Sequence, residues 1–271
     1  MQTAFATART LLTLTFLTYA SFSDYKTREV SNSLWILVAP PAFALTFVEL
    51  FLYEPAQLLL YGLCFGLTTA IAVILFYSGG FGGADAKALM CLAIAFPFYP
   101  ENLFTPILGS NSPISQIFFP ITVFSNSVLI TVVIAISYCS LSNIKYKRTG
   151  KKLFEEGHST EPLRKKILVF ITGCKKTVDE LKEKSYLYPF EDIEEDAENT
   201  FRRKLVLGLI PKDEDRNAIV GRLAEAVETG KIKNKVWATH GLPLLISITV
   251  GFIIALFLGD VVWICVRWLL G

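Results

Sequence analysis

The chain has 271 residues, 52% of them hydrophobic and only 18% charged, which excludes an ordinary soluble domain. Its net charge of +2 averages two unlike regions: residues 143–236 hold 21 of the 26 Lys and Arg and 17 of the 24 Asp and Glu, leaving 12 charges for the other 177 residues. Acids and bases are interspersed in the charged region, so nothing suggests a basic face for nucleic acid, and none is expected as a partner.

A bilayer core about 30 Å thick takes roughly 20 residues of helix. Six apolar stretches approach that length: 3–22, 34–53, 56–77, 84–98, 118–141 and 242–263. The first is interrupted by Arg9, and the fourth is short and bordered by Pro97 and Pro100. A cleaved signal peptide with Arg9 as its basic part is the alternative for residues 1–22. The polar segment that follows reads as functional rather than disposable, which favours a retained span. Within the charged region, 166–172 and 201–210 are rich in Leu, Ile, Val and Phe and end at Gly173 and Pro211, as short strands do. Residues 213–228 read as a helix, with Ile219, Leu223 and Val227 on one face and Gly230 as the stop. The acidic run 191–198 reads as a solvated linker.

The expected fold is therefore an all-α polytopic membrane protein: six transmembrane helices, with a small α+β cytoplasmic insert between helices five and six. Its parts are 1–142 with five helices, the soluble domain 143–236, and 237–271 with the last helix. Basic residues flank the same ends of these helices: Lys26, Arg28, Lys87, then Lys145 to Lys152, then Lys231, Lys233 and Lys235. The opposite connections, 54–56 and 99–117, contain no Lys or Arg. By the positive-inside rule both termini lie outside and 143–236 is cytoplasmic. Five widely spaced cysteines with no CxxC pair argue against a disulfide framework or a zinc site and read as small buried hydrophobes. No metal or cofactor is expected.

Two aspartates stand out. Asp24 and Asp85 sit where apolar segments meet short polar ones, on the same predicted side, and Asp85 follows the run Ser78-Gly79-Gly80-Phe81-Gly82-Gly83-Ala84. Ionisable groups near membrane depth cost roughly 2.5–3.5 kcal/mol each on insertion scales, so they tend to mark function. Peptide hydrolysis needs one ionised carboxylate to deprotonate water and one neutral carboxyl to protonate the leaving group. Two carboxylates held close cannot both ionise easily and share a proton near working pH. Glycines beside such a site allow close backbone approach and expose N–H groups to negative charge. Taken singly, Asp85 is also a plausible helix cap and Asp24 an ordinary flank residue. A cation or proton transporter using the same aspartates is the alternative function, though it predicts charges nearer the midplane.

The segments Ser23-Asp24-Tyr25-Lys26-Thr27-Arg28-Glu29-Val30-Ser31-Asn32, Gly82-Gly83-Ala84-Asp85-Ala86-Lys87 and Gly241-Leu242-Pro243-Leu244-Leu245 resemble those of archaeal preflagellin peptidases, within the type IV prepilin peptidase-like group of membrane aspartic proteases with a Gly-x-Gly-Asp signature. The resemblance implies Asp24 and Asp85 as the catalytic pair, without cofactor. It implies as substrates precursors of flagellin or pilin-like proteins with class III signal peptides, cut at the cytoplasmic face of the bilayer. Ala84 stands where the literal signature has Gly. The four-cysteine site of bacterial relatives is missing from the sequence, so peptidase activity without N-methylation is implied.

Further candidates surround the pair. Gly82, Gly83, Ala84 and Lys87 form a supporting loop, in which Lys87 orients the loop or anchors it at the interface. Lys26, Arg28 and Pro243 are candidate substrate contacts, and Pro243 equally suits a helix first turn. The acidic run is a candidate attractor for a basic leader. His158 and His240 are isolated and read as structural. Asp260 reads as an interfacial residue near the outer end of the last span.

Overall fold

The computed structural model describes all residues except 109–111, 151, 159–160, 196–200, 208–212, 242 and 271. It divides into two compact units, residues 1–131 with 243–271, and residues 132–242.

The first unit is helical. It holds α1 (Gln2–Thr27), α2 (Asn32–Tyr53), α3 (Leu58–Tyr77), α4 (Gly83–Ala95), the short α5 (Pro113–Ile117) and the start of α6 (Phe119–Arg148). Local chemistry sets the boundaries: Ser31 Oγ caps α2 by accepting the Ser33 N–H, and Pro55 opens a 3₁₀ turn ahead of α3. The chain leaves α3 through Gly79, whose φ of 78° is a conformation glycine reaches without steric cost. α4 is central, packing on α1, α2 and α3 and on the later helix Leu244–Phe257. Its Ala88, Leu92 and Ala95 join Phe16, Trp35, Phe119 and Phe252 in one apolar core.

Asn32–Tyr53, Pro55–Tyr77 and Phe119–Arg148 are long and apolar enough to cross a membrane. A further pair, Leu244–Phe257 and Val261–Leu270, meets the same measure as one span bent by 65°. Among the described residues the structure thus yields three or four span-length helices where the sequence suggests six. α1 is long enough but too polar, carrying Arg9, Asp24, Lys26 and several threonines. α4 is apolar but has only 13 residues, a rise of about 20 Å against a core of about 30 Å.

The second unit contains the end of α6, then α7 (Leu163–Thr172), β1 (Cys174–Lys176), α8 (Val178–Glu183), β2 (Leu187–Pro189), β3 (Glu191–Glu195), β4 (Phe201–Leu205), α9 (Asp213–Glu228) and β5 (Val236–His240). β5 lies between β1 and β2, antiparallel to both, with Cys174 opposite Ala238 and Leu187 opposite His240. β3 and β4 form a separate antiparallel hairpin. Leu181, Leu187, Leu223 and Val236 supply the core between α8, α9 and the sheet. α10 (Leu244–Phe257) and α11 (Val261–Leu270) return the chain to the first unit.

Several expectations change here. Residues 166–172, read as a strand, belong to α7: Pro162 sets the helix start, and Val169 turns into the interior while Ile167 and Leu168 stay exposed, a helical rather than alternating pattern. The second proposed strand is real only over Phe201–Leu205, and 208–210 lie outside the described residues. The acidic run is β3 rather than a linker, its members 196–198 lying outside the described residues. The helix over 213–228 is present as read. The last span breaks where Gly259, with φ of 86°, precedes Asp260. Asp260 is buried rather than interfacial: it accepts from Ser112 Oγ at 2.7 Å and caps α11 by accepting the Trp263 N–H at 2.9 Å. Cys64, Cys91, Cys139 and Cys174 are buried, and Cys265 is exposed.

Candidate active site

Asp24 occupies the last turn of α1, half-buried. The turn that follows is fixed by its own hydroxyls. Ser23 Oγ donates to the Glu29 carbonyl at 2.7 Å, and Thr27 Oγ1 to the Ser23 carbonyl at 2.9 Å. The Arg28 N–H donates to the Asp24 carbonyl at 3.0 Å, and Arg28 takes φ of 59°, the left-handed region that a side chain of its size seldom adopts. Lys26 and Arg28 are both exposed, and the Arg28 charge acts on the Asp24 carboxylate.

Asp85 lies in the first turn of α4, also half-buried, and its Oδ2 accepts the N–H of Gly82 at 3.1 Å. That contact explains the glycine. A Cβ at residue 82 would stand 3.0 Å from Asp85 Oδ2, whereas one at Gly83 would meet only the Phe76 ring at 3.6 Å. Ala84 is an ordinary residue of the first helical turn, and Arg28 alone among the described non-glycine residues has positive φ, so the alanine in place of the signature glycine is accommodated without strain.

Asp24 lies in the last turn of α1 and Asp85 in the first turn of α4. α4 packs directly on α1, and the junction is pinned on the polar side by Lys87 Nζ donating to Asn32 Oδ1 at 2.6 Å. Asn32 opens α2, so this bond ties the start of the Asp85 helix to the connection that leaves Asp24. Behind them, Ser21 Oγ donates to the Leu245 carbonyl at 3.0 Å and fixes α1 against α10. Pro243 is the residue before α10, and its neighbour Leu244 packs with Phe81, Ala86 and Leu89 around the start of α4. Asp24, Asp85, the glycine loop, Lys87 and the Pro243 turn thus share one end of the first unit.

The sequence reading did not single out Asn32, nor two further polar clusters. About 22 Å along α1 from Asp24, Arg9 and Glu49 form a buried ion pair at 2.6 Å, and Arg9 Nη1 donates to the Ala95 carbonyl at 2.9 Å. In the second unit, Glu191 is fully buried between His158 Nε2 and Arg203 Nη2, each at 2.7 Å. Burial pushes its carboxyl up, but the His158 hydrogen bond and the charges of Lys175 and Arg203 outweigh it and hold the group at about 2. Asp192 pairs with Arg222 at 2.6 Å. The first two members of the acidic run are thus neutralised internally, which weakens its reading as an attractor for a leader. His240 Nδ1 lies 3.8 Å from the Cys174 thiol.

Comparison with known proteins places this geometry. The type IV leader peptidase family matches residues 11–136, and the archaeal peptidase A24 C-terminus of type II matches residues 165–261. The preflagellin peptidase of Methanococcus voltae is 28% identical over 252 residues, covering 89% of this chain and 91% of that protein. The preflagellin peptidase of Methanococcus maripaludis is 23% identical over 249 residues, covering 89% and 90%. A helical membrane protein with these matches is a membrane peptidase, a hydrolase. The chain belongs to the type IV leader peptidase family, with the C-terminal region of its archaeal members.

Proposed function

We propose that this peptidase is an aspartic endopeptidase that removes the short basic leader from preflagellin or pilin-like precursors, using Asp24 and Asp85 to activate water. What supports the reading is the placement of two half-buried carboxylates at one end of the first unit, in the last turn of α1 and the first turn of α4, on helices that pack together. The ionised member accepts a proton from water as it attacks the scissile carbonyl, and the neutral member donates to the departing amine. The Gly82 N–H fixes one oxygen of Asp85, which leaves the other to face water and substrate. Exposed Lys26 and Arg28 flank the Asp24 turn and Pro243 starts α10 beside α4, as contacts for the precursor chain.

In the membrane, α1 and α4 complete a six-pass bundle with α2, α3, α6 and the bent α10–α11 pair. Both termini lie outside and the second unit in the cytoplasm. The apolar helix of a precursor enters laterally from lipid while its basic leader stays at the surface. Asp24→Asn and Asp85→Asn are each expected to abolish cleavage of a co-expressed precursor, read as the mass of the processed product, while the protein still inserts. Processing by either variant at more than about a thousandth of the wild-type rate would overturn the pair.

A further inference from the structure

The second unit carries a surface that proteolysis does not use. At the end of α6 an open groove of about 1050 Å³ is walled by the apolar Ile144, Leu153, Phe154 and Phe170 and by Lys147, Arg148 and Lys152. None of its described lining residues is a carboxylate. Asn143 holds the wall in place, its Nδ2 donating to the Phe170 and Gly173 carbonyls at 2.7 Å each. An adjoining hollow of about 920 Å³ shares Gly150 and Lys152 and adds Lys233 and Lys235. Its acid, Glu155, is bound by Arg203.

The depth of the groove follows from the helix that carries it. α6 is unbroken from Phe119 to Arg148, and its apolar stretch runs through Leu141. Lys147 lies six residues further on, about 9 Å along the axis. The headgroup layer beyond a hydrocarbon core is about 5–8 Å deep, so the cations stand at its outer edge, where long side chains reach back to lipid phosphate. Apolar walls below and unopposed positive charge above match the two halves of one molecule.

We propose that this groove binds an anionic phospholipid. Its phosphate sits among Lys147, Arg148 and Lys152, and the upper acyl chain lies against Ile144, Leu153 and Phe170. A zwitterionic lipid brings no net charge to answer three cations and is disfavoured. The site holds on whichever side of the membrane the second unit lies, and it does not depend on the aspartate pair.

The test uses the full chain in nanodiscs of phosphatidylcholine containing a minor fraction of phosphatidylglycerol, with retained lipid read by native mass spectrometry. Wild type is expected to retain phosphatidylglycerol in preference to phosphatidylcholine. The variant Lys147→Gln/Arg148→Gln/Lys152→Gln should lose that preference by about a hundredfold, since each basic residue near an anionic surface contributes roughly fivefold. Lys152 is exposed, so the single reversal Lys152→Glu, expected to cost about twenty-five-fold, serves if the triple variant fails to fold. Removing surface charge elsewhere with Lys182→Gln/Lys184→Gln should change nothing. Equal retention by wild type and Lys152→Glu, no preference for phosphatidylglycerol, or displacement by inorganic phosphate alone would each overturn the assignment.

Discussion

At Gly82 a single missing methyl group sets the environment of a carboxylate. The N–H of this residue holds Asp85 Oδ2, and a Cβ would crowd the same oxygen at 3.0 Å, tighter than about nine in ten real contacts of that kind. Gly82→Ala is therefore expected to lower kcat/KM for precursor cleavage about tenfold, a loss of roughly 1.4 kcal/mol, with insertion unchanged. Gly83→Ala, whose added methyl meets only the Phe76 ring at 3.6 Å, should stay within about twofold. Equal effects of the two in a cleavage assay would mean the crowding of Asp85 is irrelevant. The aspartates and the glycine run were legible in the sequence, because carboxylates beside apolar segments are costly and glycines punctuate. Which glycine mattered was not legible, since that depends on a through-space approach. Asn32 escaped notice for the same reason: its partner Lys87 lies 55 residues away in sequence.

Among elements, the long apolar helices declared themselves by composition: the ends of α2 and α3 moved by no more than two residues, whereas α6 runs seven residues past the expected 141. The reading failed where composition and length conflicted. α7 is rich in β-branched residues yet helical, and α4 is apolar yet has only 13 residues, fewer than a full-length span takes. The break between α10 and α11 was written as Gly259-Asp260, a pair easily passed over inside an apolar run. Contacts between helices are a second feature invisible to periodicity. At Gly251 of α10, a Cβ would fall 2.2 Å from Ser127 Oγ and 2.9 Å from the Ser127 backbone nitrogen, both on α6. Close approach through small residues is a principal way membrane helices adhere. Gly251→Ala is expected to destabilise the protein by about 1–3 kcal/mol, read as a lowered thermal midpoint in detergent. An unchanged midpoint would show that the helices separate freely there.

Across the whole molecule, each unit combines an apolar core with buried charge: the first has the Arg9–Glu49 pair, and the second hangs part of its hairpin on a cluster around Glu191. The Glu191 carboxyl is held at about 2 against an ordinary 4.5, so its contribution to stability is complete above pH 4.5 and is lost as pH falls toward 2. The second unit should therefore unfold at progressively lower temperature as pH falls through that window. Glu191→Gln should flatten the acid dependence while costing about 1–3 kcal/mol at neutral pH, because it removes one of the two carboxylates that pair with Arg203. An acid limb that survives the substitution would point to other carboxylates. The sequence showed this stretch only as acidic, and burial by folding turned it into an anchor.

The short central helix has an electrical consequence. Only ten residues of α4, about 15 Å, separate Asp85 from Ala95, whose carbonyl accepts from Arg9 at 2.9 Å and from Thr46 at 3.1 Å. In the proposed six-pass arrangement, the stretch of α4 between these polar ends is about half as long as the surrounding lipid core is thick. A voltage across the cell envelope dropped over that shorter stretch would give roughly twice the field found in the adjoining bilayer. De-energised vesicles and living membranes are for that reason unlike media for this protein.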